Sequence, residues 1–248
     1  MRTMIALLIF SLMTACASHS KIIAAQPVIR RIAIIPASNP AWYSFDNAAP
    51  PLGGYPFQFW VNKFDSKGKA RLFNEKLNSP PISLGSDFTE EVAAALRGYG
   101  FTVEILQGIA RPADDPDNVD YEKIHTDADA ILHLSILEVG VYSSGYSLNY
   151  IPRVNASGNL WVNGQEDSLY SDEIYYGVDA KKGKKWAILP DPKFAYRTFE
   201  AVMSNLEEVR SAFATGTIEI SKVMSERLSN AARYSKAGVP VTAQQTQQ

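Results

Sequence analysis

The chain has 248 residues, 24 Lys and Arg against 26 Asp and Glu, and a formal net charge of −2. With no basic run, that balance gives no electrostatic footprint for nucleic acid, while 46% apolar residues are ordinary for a globular protein. A single cysteine rules out an internal disulfide and a cysteine-rich zinc site.

The first element is a leader. Met1-Arg2-Thr3 is a short positive segment, and residues 4–13 form an apolar run with only Ser11 as a polar interruption. About ten apolar residues are too few to span a hydrocarbon core of ~30 Å, but they have the length and flanks of a signal peptide. The run closes on Leu12-Met13-Thr14-Ala15-Cys16, which resembles the lipobox of bacterial lipoproteins, with Met13 where leucine is usual. The resemblance implies cleavage before Cys16, a diacylglyceryl group on its thiol and an acylated amino terminus. Several acyl chains, at ~0.8 kcal/mol per buried methylene, suffice for stable anchoring. Ala17 follows the cysteine in place of the aspartate that implies inner-membrane retention, so the resemblance points to the periplasmic face of the outer membrane. The expected organisation is a signal peptide over 1–15, a lipidated tether over 16–29, a single periplasmic domain over 30–234 and a disordered tail over 235–248.

Within the domain, Arg30-Arg31-Ile32-Ala33-Ile34-Ile35-Pro36 reads as a short buried strand ended by proline. Residues 37–82 are read as an ordered insertion. Prolines and glycines at this density break regular elements, while nine aromatic residues argue against disorder. The alternation after Tyr55 suggests one short strand. Trp42, Tyr43, Tyr55, Phe57, Phe59 and Trp60 are the candidate interaction surface, since an exposed aromatic cluster marks a partner, glycan or membrane contact. The alternative is a loop packed on itself.

A helix is expected over 88–99, with Ser86 or Asp87 as N-cap, Glu90 or Glu91 for a capping box, and Gly98 and Gly100 as its stop. Residues 102–106 alternate as a strand. A loop over 111–120 leads to a short helix at 121–126 and a long strand at 131–142. In the next segment Val154, Ala156, Gly158, Leu160 and Val162 share one phase, as in a half-buried antiparallel strand. Asn163 and Gly164 make the turn into a third meander strand at 168–177. After the basic turn at 181–185, helices are expected over 194–213 and 214–233, separated near Gly216. Their apolar face, including Phe199, Val202, Leu206 and Phe213, packs on the sheet or on a second subunit.

The fold class expected is an α/β sandwich: a mixed sheet of about five strands, mainly an antiparallel meander, packed by helices and carrying the aromatic and proline-rich insertion. The strand at 32–36, the helix ending in Gly-Tyr-Gly-Phe, the strand at 102–106 and Ala128-Asp129-Ala130-Ile131-Leu132 opening the meander resemble the sandwich of periplasmic lipoproteins. The layout is similar to the amino-terminal domain of TolB, the penicillin-binding-protein activator LpoB and the curli secretion lipoprotein CsgG. That resemblance implies a non-catalytic envelope adaptor or an assembly or secretion factor. It works within an envelope protein complex, with self-assembly as a further possibility and no cofactor.

The residues leave little for catalysis. No Gly-x-Ser-x-Gly elbow occurs. His125 with Asp127 and Asp129 has the residue types of a metal site, but its spacing across a helix end and strand start fits capping better, so no metal is expected. His133, in an apolar strand, is read as a hydrogen-bonded core or face residue. Glu166, Asp167, Asp172 and Glu173 supply carboxylates for a cell-wall glycan- or lipid-acting hydrolase, which is the alternative function alongside a small-ligand or lipid carrier.

Overall fold

The computed structural model describes residues 28–47, 56–112, 115–143, 149–165, 167–177 and 187–234, the side chains of 56–66 excepted. Cys16 and its leader, most of the tether, Tyr55, the basic turn at 181–185 and the tail at 235–248 lie outside these residues.

The expected α/β class is the one observed. Seven strands form one mixed sheet: β1 (Arg31–Ile35), β2 (Ser44–Asn47), β3 (Thr102–Ile105), β4 (Ala130–Ser143), β5 (Tyr150–Val162), β6 (Ser168–Tyr176) and β7 (Ala187–Ile188). The order is β3-β1-β4-β5-β6-β7, with β2 on β4. Strand β1 lies between β3 and β4 and is parallel to both. Buried on both faces, it reads as an unbroken apolar run, as parallel strands do. Strands β4, β5 and β6 are the antiparallel meander, and Gln165 N–H donates to Val162 O at 3.0 Å across the expected turn. The two strands beyond the expected five are the short β2 and β7.

Helices α1 (Pro56–Leu77), α2 (Leu84–Gly98), α3 (Phe199–Ser204) and α4 (Leu206–Tyr234) share one apolar core with the inward side chains of the sheet. Arg210 reaches the carbonyls of Leu77 and Pro80, just before α2, and Arg233 reaches that of Tyr99 at its end. Helices α2 and α4 therefore run parallel.

The insertion is corrected most. Residues 56–61 are helical, not a strand, and most of the stretch is β2 and the 22-residue α1. Apart from Pro40, its prolines stand on either side of the helix, at Pro50, Pro51 and Pro56 and at Pro80-Pro81, and only Gly68 falls in its interior. Pro56 occupies the first helical turn, where its missing N–H costs nothing. Asn74 of α1 then ties in the approach to β2: its Oδ1 accepts from Tyr43 N–H at 2.7 Å and its Nδ2 donates to Tyr43 O at 2.6 Å.

Three smaller expectations also change. Helix α2 begins earlier, after Ser83, and neither Ser86 nor Asp87 caps it. Asn39 Oδ1 accepts from Gly85 N–H at 2.7 Å instead, and the chain after β1 passes so close that a Cβ on Gly85 would sit 2.6 Å from Ala37 O. The helix expected at 121–126 is only a 3-10 turn, Tyr121–Lys123, too short to nucleate an α-helix. The break expected at Gly216 falls at Asn205, and α4 runs unbroken through the glycine. Gly216 is a packing residue: a Cβ there would lie 2.7 Å from the Tyr176 ring and 3.1 Å from Val154.

Candidate functional site

Alternation along β4 and β5 sends one set of side chains into the helix-covered core and the other to the opposite, outer face. Inward are Leu132, Leu134, Val154, Ala156 and Leu160; outward are Ile131, His133 and Ser135 of β4 and Arg153, Asn155, Asn159 and Trp161 of β5. A bulge between Ile136 and Glu138 shifts the phase of β4, so Glu138 and Tyr142 also point outward while Val139 and Val141 stay in the core. Two polar clusters form on this outer face.

The first lies where the segment between β3 and β4 covers the sheet. Arg111 donates to Pro36 O, to Pro116 O at 2.5 Å and to Ser38 Oγ at 2.7 Å, and stands 3.9 Å from Asp117. Burial, opposed by Arg111, raises the Asp117 carboxyl. Tyr121 Oη lies 2.6 Å from His133 Nδ1. Burial, then the charge of Arg111, pushes His133 down to about 4, so the ring is neutral at pH 7. Its Nε2 is buried with no hydrogen-bond partner. The Tyr121 ring tilts against Trp161 at 5.2 Å.

Two clefts adjoin this cluster and share Asn163. One, of about 390 Å³, is lined by the adjoining rings of Tyr121 and Trp161 and by Ile131, Asn163 and Gln165. The other, of about 630 Å³, is polar and includes Arg31, Glu104, His125 and Asp127.

The second cluster sits further along the same face. Arg153 is 3.3 Å from Glu138 Oε2 and covers the Tyr142 ring at 4.7 Å. Tyr142 Oη donates to Glu138, and Asn155 lies within 3.3 Å of both charged partners. Burial and the Glu138 hydrogen bond raise Tyr142 well above the usual phenol range, so it stays a donor.

The expected aromatic surface is only partly present among the described side chains. Trp42 is 52% exposed, but Tyr43 is 1% exposed and stacks on Phe213 at 5.9 Å, which makes it core. Phe57, Phe59 and Trp60 lie on α1, their side chains outside the described residues. His125 and Asp127 line the polar cleft. Asp129 instead accepts from the N–H groups of Arg30 and Arg31, both at 2.8 Å, bonds that hold its carboxyl below the usual range. Among the described residues no three His, Cys, Asp or Glu side chains gather as metal ligands.

Of the carboxylates considered for hydrolysis, Glu166 lies outside the described residues, and Asp172 and Glu173 diverge. Asp172 turns to the helices and pairs with Arg227, while Glu173, the next residue along β6, faces the other way. Among the described residues no helix is long and apolar enough to cross a membrane.

Reasoning from the sequence missed the grouping of Tyr121, His133 and Trp161, because they come from three separate segments. The only signal in the chain was that Trp161 falls out of phase with the buried residues of β5.

No family model and no curated protein matches the sequence. Solved structures with similar folds include a DUF330 protein of Xanthomonas campestris, at 9% identity, covering 86% of this chain and 90% of that one, with a TM-score of 0.39. A lipoprotein of Neisseria meningitidis is 17% identical over 60% of this chain and 79% of its own, with a TM-score of 0.32. A hypothetical protein of Chlamydia trachomatis is 10% identical over 83% and 99%, with a TM-score of 0.37. Scores this low do not place the chain in any of their families.

Proposed function

We propose that this chain is a lipid-anchored envelope protein on the periplasmic side of the outer membrane. It acts as a non-catalytic adaptor in assembly or secretion and docks a protein partner on the outer face of its sheet. The single observation that carries the docking part is the Glu138, Tyr142, Arg153 and Asn155 cluster. Arginine and tyrosine are the residue types that dominate binding energy at interfaces. Here the Arg153 side chain is held by an ion pair and an aromatic ring, so little side-chain freedom remains to be lost on docking. The Leu12 to Cys16 motif supports the anchor, and the order of β1, α2, β3 and β4 agrees with the TolB-, LpoB- and CsgG-like layout.

Cys16→Ser should release the protein from membranes and abolish labelling by a fatty-acid probe; unchanged membrane association would sink the anchor. For docking, the tagged full chain is captured from detergent-solubilised envelope. Arg153→Ala should lower recovery of its partner about tenfold, the loss expected of an interface anchor worth ~1.4 kcal/mol or more. Recovery of no partner, or equal recovery by the variant, would overturn the docking reading.

A further inference from the structure

The smaller cleft has a composition that points to one kind of ligand. Tyr121 and Trp161 form two of its walls, with ring planes inclined at 58°. Tyr121 is 44% exposed, yet its hydroxyl is held by His133, so the platform is both accessible and fixed. The polar atoms nearby belong to the Asn163 and Gln165 side chains, the Trp161 indole N–H and the turn backbone, and among the described residues no charged side chain lines the cleft.

Each of these features narrows the ligand. Without a charged side chain among the described residues the cleft offers no ion pair to an anion or cation. Asn163 Nδ2 already donates to Ala128 O at 3.3 Å, but a simple acyl chain would still cover its Oδ1 and the whole Gln165 carboxamide, and covering them unsatisfied is unfavourable. A neutral sugar suits both halves, because its C–H faces lie against aromatic rings and its hydroxyl and acetamido groups pair with carboxamides. An N-acetyl methyl also has an apolar wall to meet at Ile131. A volume of about 390 Å³ falls within the ~300–1,000 Å³ typical of small-molecule sites. The polar cleft across Asn163 leaves room for further sugar units.

We propose that the Tyr121 and Trp161 cleft is a binding site for a neutral N-acetylated oligosaccharide. It does not rest on the docking reading, which uses a separate cluster on the same face. Trp161 and Tyr121 carry the ring contacts, Asn163 and Gln165 take the polar substituents, and His133 is a positioning residue behind Tyr121.

The test titrates the full chain with chitotetraose by isothermal titration calorimetry, with sodium laurate as the competing probe. Saturable binding of chitotetraose is expected. It should weaken at least tenfold in Trp161→Ala and several-fold in Gln165→Ala, and stay unchanged in Trp42→Ala, whose ring is exposed elsewhere on the chain. Melting curves show whether Trp161→Ala is folded; if it is not, Gln165→Ala on the exposed rim decides. Absence of saturable binding, equal affinity in the folded Trp161 or Gln165 variants, or saturable binding of laurate alone would overturn the assignment.

Discussion

Burial acts on His133 more strongly than any charge beside it. The ring is 5% exposed, and protonating it would place a cation near the Arg111 guanidinium. In the unfolded chain an imidazole titrates near ~6.5, whereas in the folded protein it titrates at about 4. Between those values the unfolded chain takes up a proton that the native state refuses, so stability rises with pH through this window and falls as pH drops through it. The expected loss from pH 7 to pH 4 is on the order of 3 kcal/mol. Asp129, whose carboxyl is lowered, loses its contribution only below about pH 4. Urea unfolding at pH 7.0 and 4.5 tests this. Wild type should lose most of that stability and His133→Phe should lose far less, so parallel losses in the two proteins would refute it. That His133 is hydrogen-bonded was legible in the sequence from its place in an apolar strand. Its partner was not, because Tyr121 lies on a separate segment outside the sheet.

The helices and strands differ in how openly the sequence declares them. The meander was readable because β5 alternates in burial along most of its length, interrupted only at the buried Asn155. Helix α2 was readable from the repeat of Phe88, Val92 and Leu96. Helix α1 was not, because its aromatic residues follow no single helical stripe and its flanks hold the densest breakers in the chain. Gly216 misled for a different reason. Glycine weakens an isolated helix by ~1 kcal/mol, but in α4 it is the space into which Tyr176 packs. Gly216→Ala should therefore destabilise the protein by about 1–3 kcal/mol through overpacking, despite alanine's better helix propensity. The midpoint of chemical denaturation measures this, and a more stable variant would show that the helix can shift away from Tyr176.

For the whole molecule, the last described element closes the core. Helix α4 supplies Val209, Phe213, Ile220, Met224 and Leu228 to a cluster that includes Val154 and Ala156 of β5 and Ile174 and Tyr176 of β6. Arg227 also completes the ion pair with Asp172 from this helix. A chain ending at Asn205 would leave one side of the meander and of α2 exposed to water. It should lack a cooperative thermal transition and bind a hydrophobic dye; a sharp transition near that of the full chain would show that the sheet stands without α4. The candidate site was less legible than this framework, because its rings and charges meet only when β4, β5 and the segment between β3 and β4 come together.

The Asp129 bridge has a mechanical meaning as well. Any load applied through the residues before Ile29 passes the Ile29 side chain, seated in the core, and then Arg30 and Arg31, whose N–H groups are both held by that carboxylate. Beyond it, β1 is hydrogen-bonded to β3 on one side and β4 on the other. A pull along the strand therefore shears two ladders at once instead of peeling one bond at a time, and the bridge takes strain ahead of both.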